Sequence, residues 1–239
     1  FDAKYSRIKE KVRAAKFTRA ISYFCRSQLM MFSESDDPSP FAVVHCGIKI
    51  DRYQFRPPRQ QVTTLFCAAR LSPAKGLTFL VRAVKDLVDS GYDIRLKLAG
   101  GGPSLAHLKA LAAELGVSAS VEFLGFLNEE EVIAALAASD LFVLPSYVEG
   151  IPVSAMEAMA VGVPVIATNI AGTSELVENG VTGLLVRPTD NEALKKAIIT
   201  MADDYSLRLR IAEAARKKVV DEFDVDLETG KLNSCLVQD

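Results

Sequence analysis

Two carboxylates, Glu149 and Glu157, stand eight positions apart in a segment that runs from Tyr147 to Ala160. Glu149 comes just before a predicted short helix, and Glu157 lies inside it. Gly150 lets the backbone turn where a side chain would clash. Pro152 suits the first helical position, where its missing N–H costs nothing. The small residues Ala155, Ala158 and Gly162 allow this helix to lie close to a sheet. Unpaired N–H groups at its start, together with the helix dipole, form an anion site. Carboxylates around an anion site make sense when the ligand also carries hydroxyls, because carboxylates accept hydrogen bonds from them. A nucleotide-sugar has both features.

The Glu149-to-Glu157 arrangement, written E-G-I-P-V-S-A-M-E-A-M-A and continued by the G-V-P-V-I-A-T stretch at 162–168, resembles a known signature. It is that of retaining glycosyltransferases of the GT-B fold, glycosyltransferase family 4 (group 1). The resemblance implies that Glu149 contacts the donor sugar and Glu157 the nucleotide ribose. Arg70 and Lys75 lie in R-L-S-P-A-K-G, similar to the family's R-L-x-x-x-K-G segment, whose cations neutralise the donor diphosphate. The physical need is clear: a diphosphate leaving group gains negative charge as the glycosidic bond breaks, and fixed cations stabilise it. Arg70 and Lys75 would replace a metal, so neither metal nor cofactor is expected. Where the family often has glycine, this chain has Pro152. One backbone donor is thereby lost, and Ile151 and Val153 are left to supply the backbone contacts, with Gly150 and Pro152 lining the donor beside them.

Further positions follow the same pattern. Gly100, Gly101, Gly102 and Pro103 come after a predicted strand and open a helix. A dinucleotide fingerprint fails there, because its third glycine position holds Leu105 and Glu122 sits within its strand rather than at its end. The family's G-x-G-P loop fits instead, with Gly101 and Gly102 letting backbone approach the nucleotide. Phe126 and Leu127 end a strand at the same face, where the family's backbone meets the base; their side chains serve equally well as strand-end packing. Thr168 and Gly172 to Glu175 match T-x-x-x-G-x-x-E, with Glu175 serving either the ligand or a backbone turn. Asp224 and Asp226 mimic the D-x-D metal motif of the other major glycosyltransferase fold, but lie near the C-terminus with no following strand.

These residues need a sheet to hold them. Strands are predicted at 62–68, 94–99, 120–124, 140–144, 163–167 and 183–186, with those at 62–68 and 140–144 apolar. Helices are predicted between and after them, at 77–90, at 104–115, from a capping box at Asn128 and Glu131, from Thr189 to about Met201, and at 206–221. Alternation of this kind predicts a Rossmann-like three-layer α/β/α domain with a mainly parallel sheet, the C-terminal half of a GT-B fold, binding ligands at the carboxyl ends of its strands. Before it come a basic helix over 1–16, a strand at 20–24, a helix at 26–32, a loop, a strand at 41–44 and a Pro-containing linker. The expected division is a remnant of the N-terminal acceptor domain and linker over 1–55, the nucleotide-sugar domain over 56–222 and a tail over 223–239.

The chain has 239 residues, is 49% hydrophobic and carries a net charge of -2, which gives no support for nucleic-acid binding. Its four scattered cysteines fit a reducing compartment. Two histidines, His45 and His107, are too few for a multi-histidine metal site, and neither sits in a catalytic motif. No apolar run reaches the ~18 residues of a membrane span, and no signal-peptide pattern is visible. The cations at 4–19 read as a solvated helix face or as a contact with an anionic membrane. The resemblance implies a cytoplasmic enzyme, peripheral at the inner membrane face, that takes a sugar from a nucleoside-diphosphate sugar and passes it to a saccharide or lipid-linked acceptor in polysaccharide or glycolipid synthesis. The acceptor site would lie in the N-terminal domain, so this chain is expected to bind donor but transfer poorly. A nucleotide-sugar epimerase and a non-catalytic binding module are the alternatives.

Overall fold

The structure, a computed structural model, describes residues 7–237. Asp2, Lys4 and Tyr5 of the predicted first helix lie outside them. Six strands form one parallel sheet: β3 (Thr64–Ala68), β4 (Arg95–Ala99), β5 (Val121–Gly125), β6 (Leu141–Leu144), β7 (Val165–Thr168) and β8 (Leu184–Val186). Their order across the sheet is β5-β4-β3-β6-β7-β8. Every residue of β6 and β7 is buried. Such unbroken apolar runs mark strands covered on both faces. One covering layer holds α3 (Leu77–Asp89), α4 (Leu105–Glu114) and α8 (Asn191–Asp203); the other holds α5 (Glu129–Ala137), α6 (Val153–Val161) and α9 (Tyr205–Glu222), and the short α7 (Thr173–Leu176) follows β7. The predicted three-layer α/β/α class is the observed one.

The helix starts follow local chemistry. In α3, Leu77, Leu80, Val81, Val84 and Leu87 are buried at helical spacing. The capping box of α5 is present: Asn128 N–H donates to Glu131 Oε2 at 2.7 Å, and Glu131 N–H to Asn128 Oδ1 at 3.0 Å. Three starts differ from expectation by one residue. Pro152 is the N-cap of α6, not its first helical residue. In α8 the cap is Asp190, whose carboxylate accepts from Ala193 N–H at 2.8 Å. Thr189 is left-handed at φ 66°, unlike the extended backbone of a helix cap. The next helix opens at Tyr205 behind Asp204, whose carboxylate accepts from Leu207 N–H at 2.8 Å.

The N-terminal part needs a larger correction. The first helix, α1, spans Ile8–Ala14. Strand β1 is Thr18–Ala20, paired in parallel with β2 (Phe41–Val43), and α2 is Tyr23–Ser33. The predicted strand at 20–24 therefore contains a helix start. Ser22 caps it, its Oγ accepting from Cys25 N–H at 2.9 Å. Glu175 takes the two N–H groups left over, Tyr23 at 2.8 Å and Phe24 at 2.9 Å. Both aromatic side chains are exposed, so their apolar character misleads a strand reading.

The segment expected as a tail folds into α10 (Val225–Val237) and packs back against His45 and Ile48. Ile48 N–H donates to Phe223 O at 2.9 Å, Val225 N–H to Ile48 O at 3.0 Å, and His45 N–H to Glu228 Oε2 at 2.7 Å. Asp224 Oδ1 accepts from Asp226 N–H at 2.7 Å, which makes the D-x-D pair a helix-opening turn. Among the described residues, no group of three or more His, Cys, Asp or Glu is placed to hold a metal ion, and no helix is long and apolar enough to cross a membrane.

Candidate functional site

The chain runs outward from β3 to β5, then reverses to β6 on the other side of β3. A reversal of this kind leaves a crevice at the strand carboxyl ends. A cavity of about 560 Å³ opens there, lined by Arg70 after β3, Gly101 and Gly102 after β4, and Phe126 and Leu127 after β5. Five residues predicted from three separate loops thus share one wall. The loops are pinned together: Leu71 N–H donates to Gly101 O at 2.9 Å, and Ser104 N–H to Leu71 O at 2.9 Å. Gly102 has φ +153°, and a Cβ there would lie 2.4 Å from Leu71 O. Glycine at this position serves the close contact of two loops. Phe126 is 86% exposed, so it forms an open apolar edge rather than strand-end packing.

On the other side of the reversal stand Lys75 and Glu149. Lys75 Nζ lies 2.5 Å from Glu149 Oε1, and Ser146 Oγ donates to the same oxygen at 2.7 Å. Two loops must meet for this. Tyr147 N–H donates to Ala74 O at 2.7 Å. Gly76, at φ +60°, comes so near Pro145 that a Cβ would sit 2.1 Å from its carbonyl oxygen. Ser146 is itself fixed, its carbonyl accepting from Thr168 Oγ1 at 2.5 Å. Beneath, burial pushes the Cys67 thiol up to about 12, which leaves it protonated and inert. Arg70 is exposed and makes no ion pair among the described residues. Lys75 is a cation already engaged, and Arg70 one that is open to an anion.

The start of α6 borders this cluster. Its N–H groups at Gly150, Ile151, Val153 and Ser154 have no protein acceptor among the described residues. Gly150 packs against Ile21: a Cβ there would lie 2.8 Å from Ile21 Cδ1, which would have to shift. One turn into the helix, Glu157 Oε1 accepts from Tyr53 Oη at 3.0 Å. Burial raises the Glu157 carboxyl above the usual range, the Tyr53 bond opposes that rise, and the nearby Glu129 charge adds to it. Burial and the Glu157 charge raise the Tyr53 hydroxyl in turn.

Glu175 is not part of this wall. It bonds the backbone of α2 as described above, and His45 Nε2 stands 3.7 Å from it. Two residues at the site escape sequence reasoning. Ser146 carries a weak signal, as a hydroxyl two residues past the end of β6. Tyr53 carries none, because it lies in a stretch that reads as linker.

The family described as Glycosyl transferases group 1 matches residues 50–218. The chain is 35% identical over 204 residues to the putative colanic acid biosynthesis glycosyltransferase WcaL of Escherichia coli, across 82% of this chain and 50% of that protein. It is 33% identical over 190 residues to the amylovoran biosynthesis glycosyltransferase AmsK of Erwinia amylovora, across 76% of this chain and 47% of that one. The chain spans about half the length of the curated relatives it matches. It superposes on the crystal structure of Anabaena Alr3699/HepE in complex with UDP-glucose with a TM-score of 0.89 and 25% identity, covering 99% of this chain and 68% of that one.

Proposed function

We propose, on the premise that the chain belongs to the group 1 glycosyl transferases, that it is the C-terminal, donor-binding part of a retaining enzyme of glycosyltransferase family 4. The observation that carries the reading is the meeting of Lys75, Glu149 and the open N-terminus of α6 at one end of the sheet. A nucleoside diphosphate lies along the crevice, with its base against Phe126 and Leu127, its ribose at Glu157 and its diphosphate at the α6 N–H groups. Arg70 and Lys75 meet the charge that grows on the diphosphate as the sugar leaves, so no metal is needed. Lys75 moves from Glu149 to the diphosphate, which frees Glu149 to accept hydrogen bonds from the sugar hydroxyls.

The names of WcaL and AmsK support a polysaccharide product, and the UDP-glucose bound to HepE makes a uridine donor the first to test. The acceptor, a saccharide or lipid-linked saccharide, is met by the N-terminal domain in a cytoplasmic enzyme. Lys11 and Arg13, both exposed on α1, suit contact with an anionic membrane face. Calorimetry with UDP, GDP and ADP and their glucose or mannose conjugates tests the reading. One diphosphate should bind, its sugar conjugate should bind more tightly, and Glu149→Gln should remove only the increment due to the sugar. Equal loss for both ligands would refute the assigned roles.

A further inference from the structure

The segment before β3 is fastened to α5, α6 and α9. Arg52 pairs with Glu129 at the start of α5. Arg56 N–H donates to Val161 O, at the far end of α6, at 2.8 Å. A Cβ on Gly162 would lie 2.3 Å from Arg56 O, so that contact is as close as backbone allows. Arg208 Nη2, from α9, holds the carbonyls of Arg59 at 3.0 Å and Gln60 at 2.8 Å. Between these anchors Tyr53 points inward. It is 3% exposed, and its hydroxyl has one acceptor among the described residues, Glu157 Oε1. Glu157 Oε2 takes no protein partner among them and is not sealed from solvent.

We propose that Tyr53 is the positioning residue for Glu157: its hydroxyl holds one carboxylate oxygen so that the other faces the ribose hydroxyls of the bound nucleotide. The proposal rests on the donor-site reading above. Two physical effects follow from one bond. A carboxylate on a flexible side chain loses rotamer freedom when it grips a ligand, and a bond already made removes part of that cost. The same bond favours the charged form, against burial and against Glu129. The titratable groups facing Glu157 are therefore the neutral Tyr53 hydroxyl, from the segment before β3, and the Glu129 carboxylate from α5, which is paired with Arg52.

The test is calorimetry on the whole chain with UDP, GDP and ADP and the 2′-deoxy and 3′-deoxy forms of whichever binds. Tyr53→Phe, which keeps the ring, should weaken the ribonucleotide about tenfold. The deoxy forms, which lack a ribose hydroxyl for Glu157 to hold, should lose less. The acid limb of affinity against pH should move to higher pH in Tyr53→Phe, since loss of the bond lets Glu157 hold its proton longer. In a Glu157→Gln background, Tyr53→Phe should have little further effect. Tyr53→Met, which fills the space without a hydroxyl, repeats the measurement should the phenylalanine variant fold poorly. Equal losses for ribose and deoxyribose ligands would mean a purely structural tyrosine and would overturn the proposal, as would an unmoved pH limb. If none of the three diphosphates binds the unaltered chain, the donor-site reading itself fails, and this inference with it.

Discussion

Replacing Lys75 with alanine should impair folding and ligand binding for one electrostatic reason. Its ammonium lies 2.5 Å from Glu149 Oε1, with the lysine side chain 23% and the glutamate side chain 10% exposed. Removing one member of a fully buried pair costs about 3–5 kcal/mol, because the other charge stays behind unpaired. Here the pair is partly buried, and Ser146 Oγ still donates to the carboxylate. A cost of about 2–3 kcal/mol is therefore expected. In a domain of this size that lowers the melting midpoint by roughly 5–10 °C. Adding Glu149→Gln should recover most of the loss, since the stranded charge is gone. UDP should lose far more affinity than uridine, because the bare carboxylate then faces the diphosphate. Thermal melts of the unaltered chain, both single variants and the double variant give the coupling directly. An unchanged midpoint in Lys75→Ala, or a further fall on adding Glu149→Gln, would refute the reasoning.

Glu157 should work against stability. Its carboxyl is raised in the folded state, so between the ordinary carboxylate range and that raised value the native chain holds more protons than the unfolded one. Stability then falls as pH rises through this window. Glu157→Gln should flatten the fall in melts against pH while weakening UDP binding. Glu175→Ala should cost about 1–2 kcal/mol, the scale of a lost helix cap, and leave UDP affinity unchanged; a loss of affinity in calorimetry would place Glu175 on the ligand after all. Gly76→Ala forces a side chain to φ +60° and against Pro145 O, where the backbone strain alone is about 1–3 kcal/mol. Its melting midpoint should fall by more than that of Gly91→Ala, which has φ +88° and open space around it.

How far the sequence leads depends on whether the deciding partner is local. The centre of the sheet was legible because Leu141 to Leu144 and Val165 to Ala167 are apolar throughout, a pattern that burial on both faces requires, whereas β4 and β5 towards the edge admit Arg95, Lys97 and Glu122. Asn128 and Glu131 were legible because a capping box closes within four residues. Tyr23 and Phe24 were misread because their exposed aromatic rings look like a strand, and although Ser22 caps the helix locally, Glu175, which takes their N–H groups, is 152 positions from Tyr23. The last helix looked like a tail for the same reason: its register is set by Ile48 and His45, far back in the chain. At the site, Arg70, Lys75, Glu149 and Glu157 were found through the resemblance of their motifs. The pairing of Lys75 with Glu149 was not found, because it depends on how closely two loops approach. Tyr53 had no signal, since a tyrosine in a linker shows its role only when its hydroxyl is seen against Glu157.

The most direct measurement is a crystal structure of this chain soaked with UDP-glucose, in buffer containing magnesium. The account predicts the diphosphate at the α6 N-terminus beside Arg70 and Lys75, the ribose hydroxyls on Glu157, the sugar at Glu149 no longer paired with Lys75, and no metal between protein and phosphate. A nucleotide bound elsewhere on the sheet, or a magnesium ion bridging the diphosphate while Lys75 stays on Glu149, would contradict it.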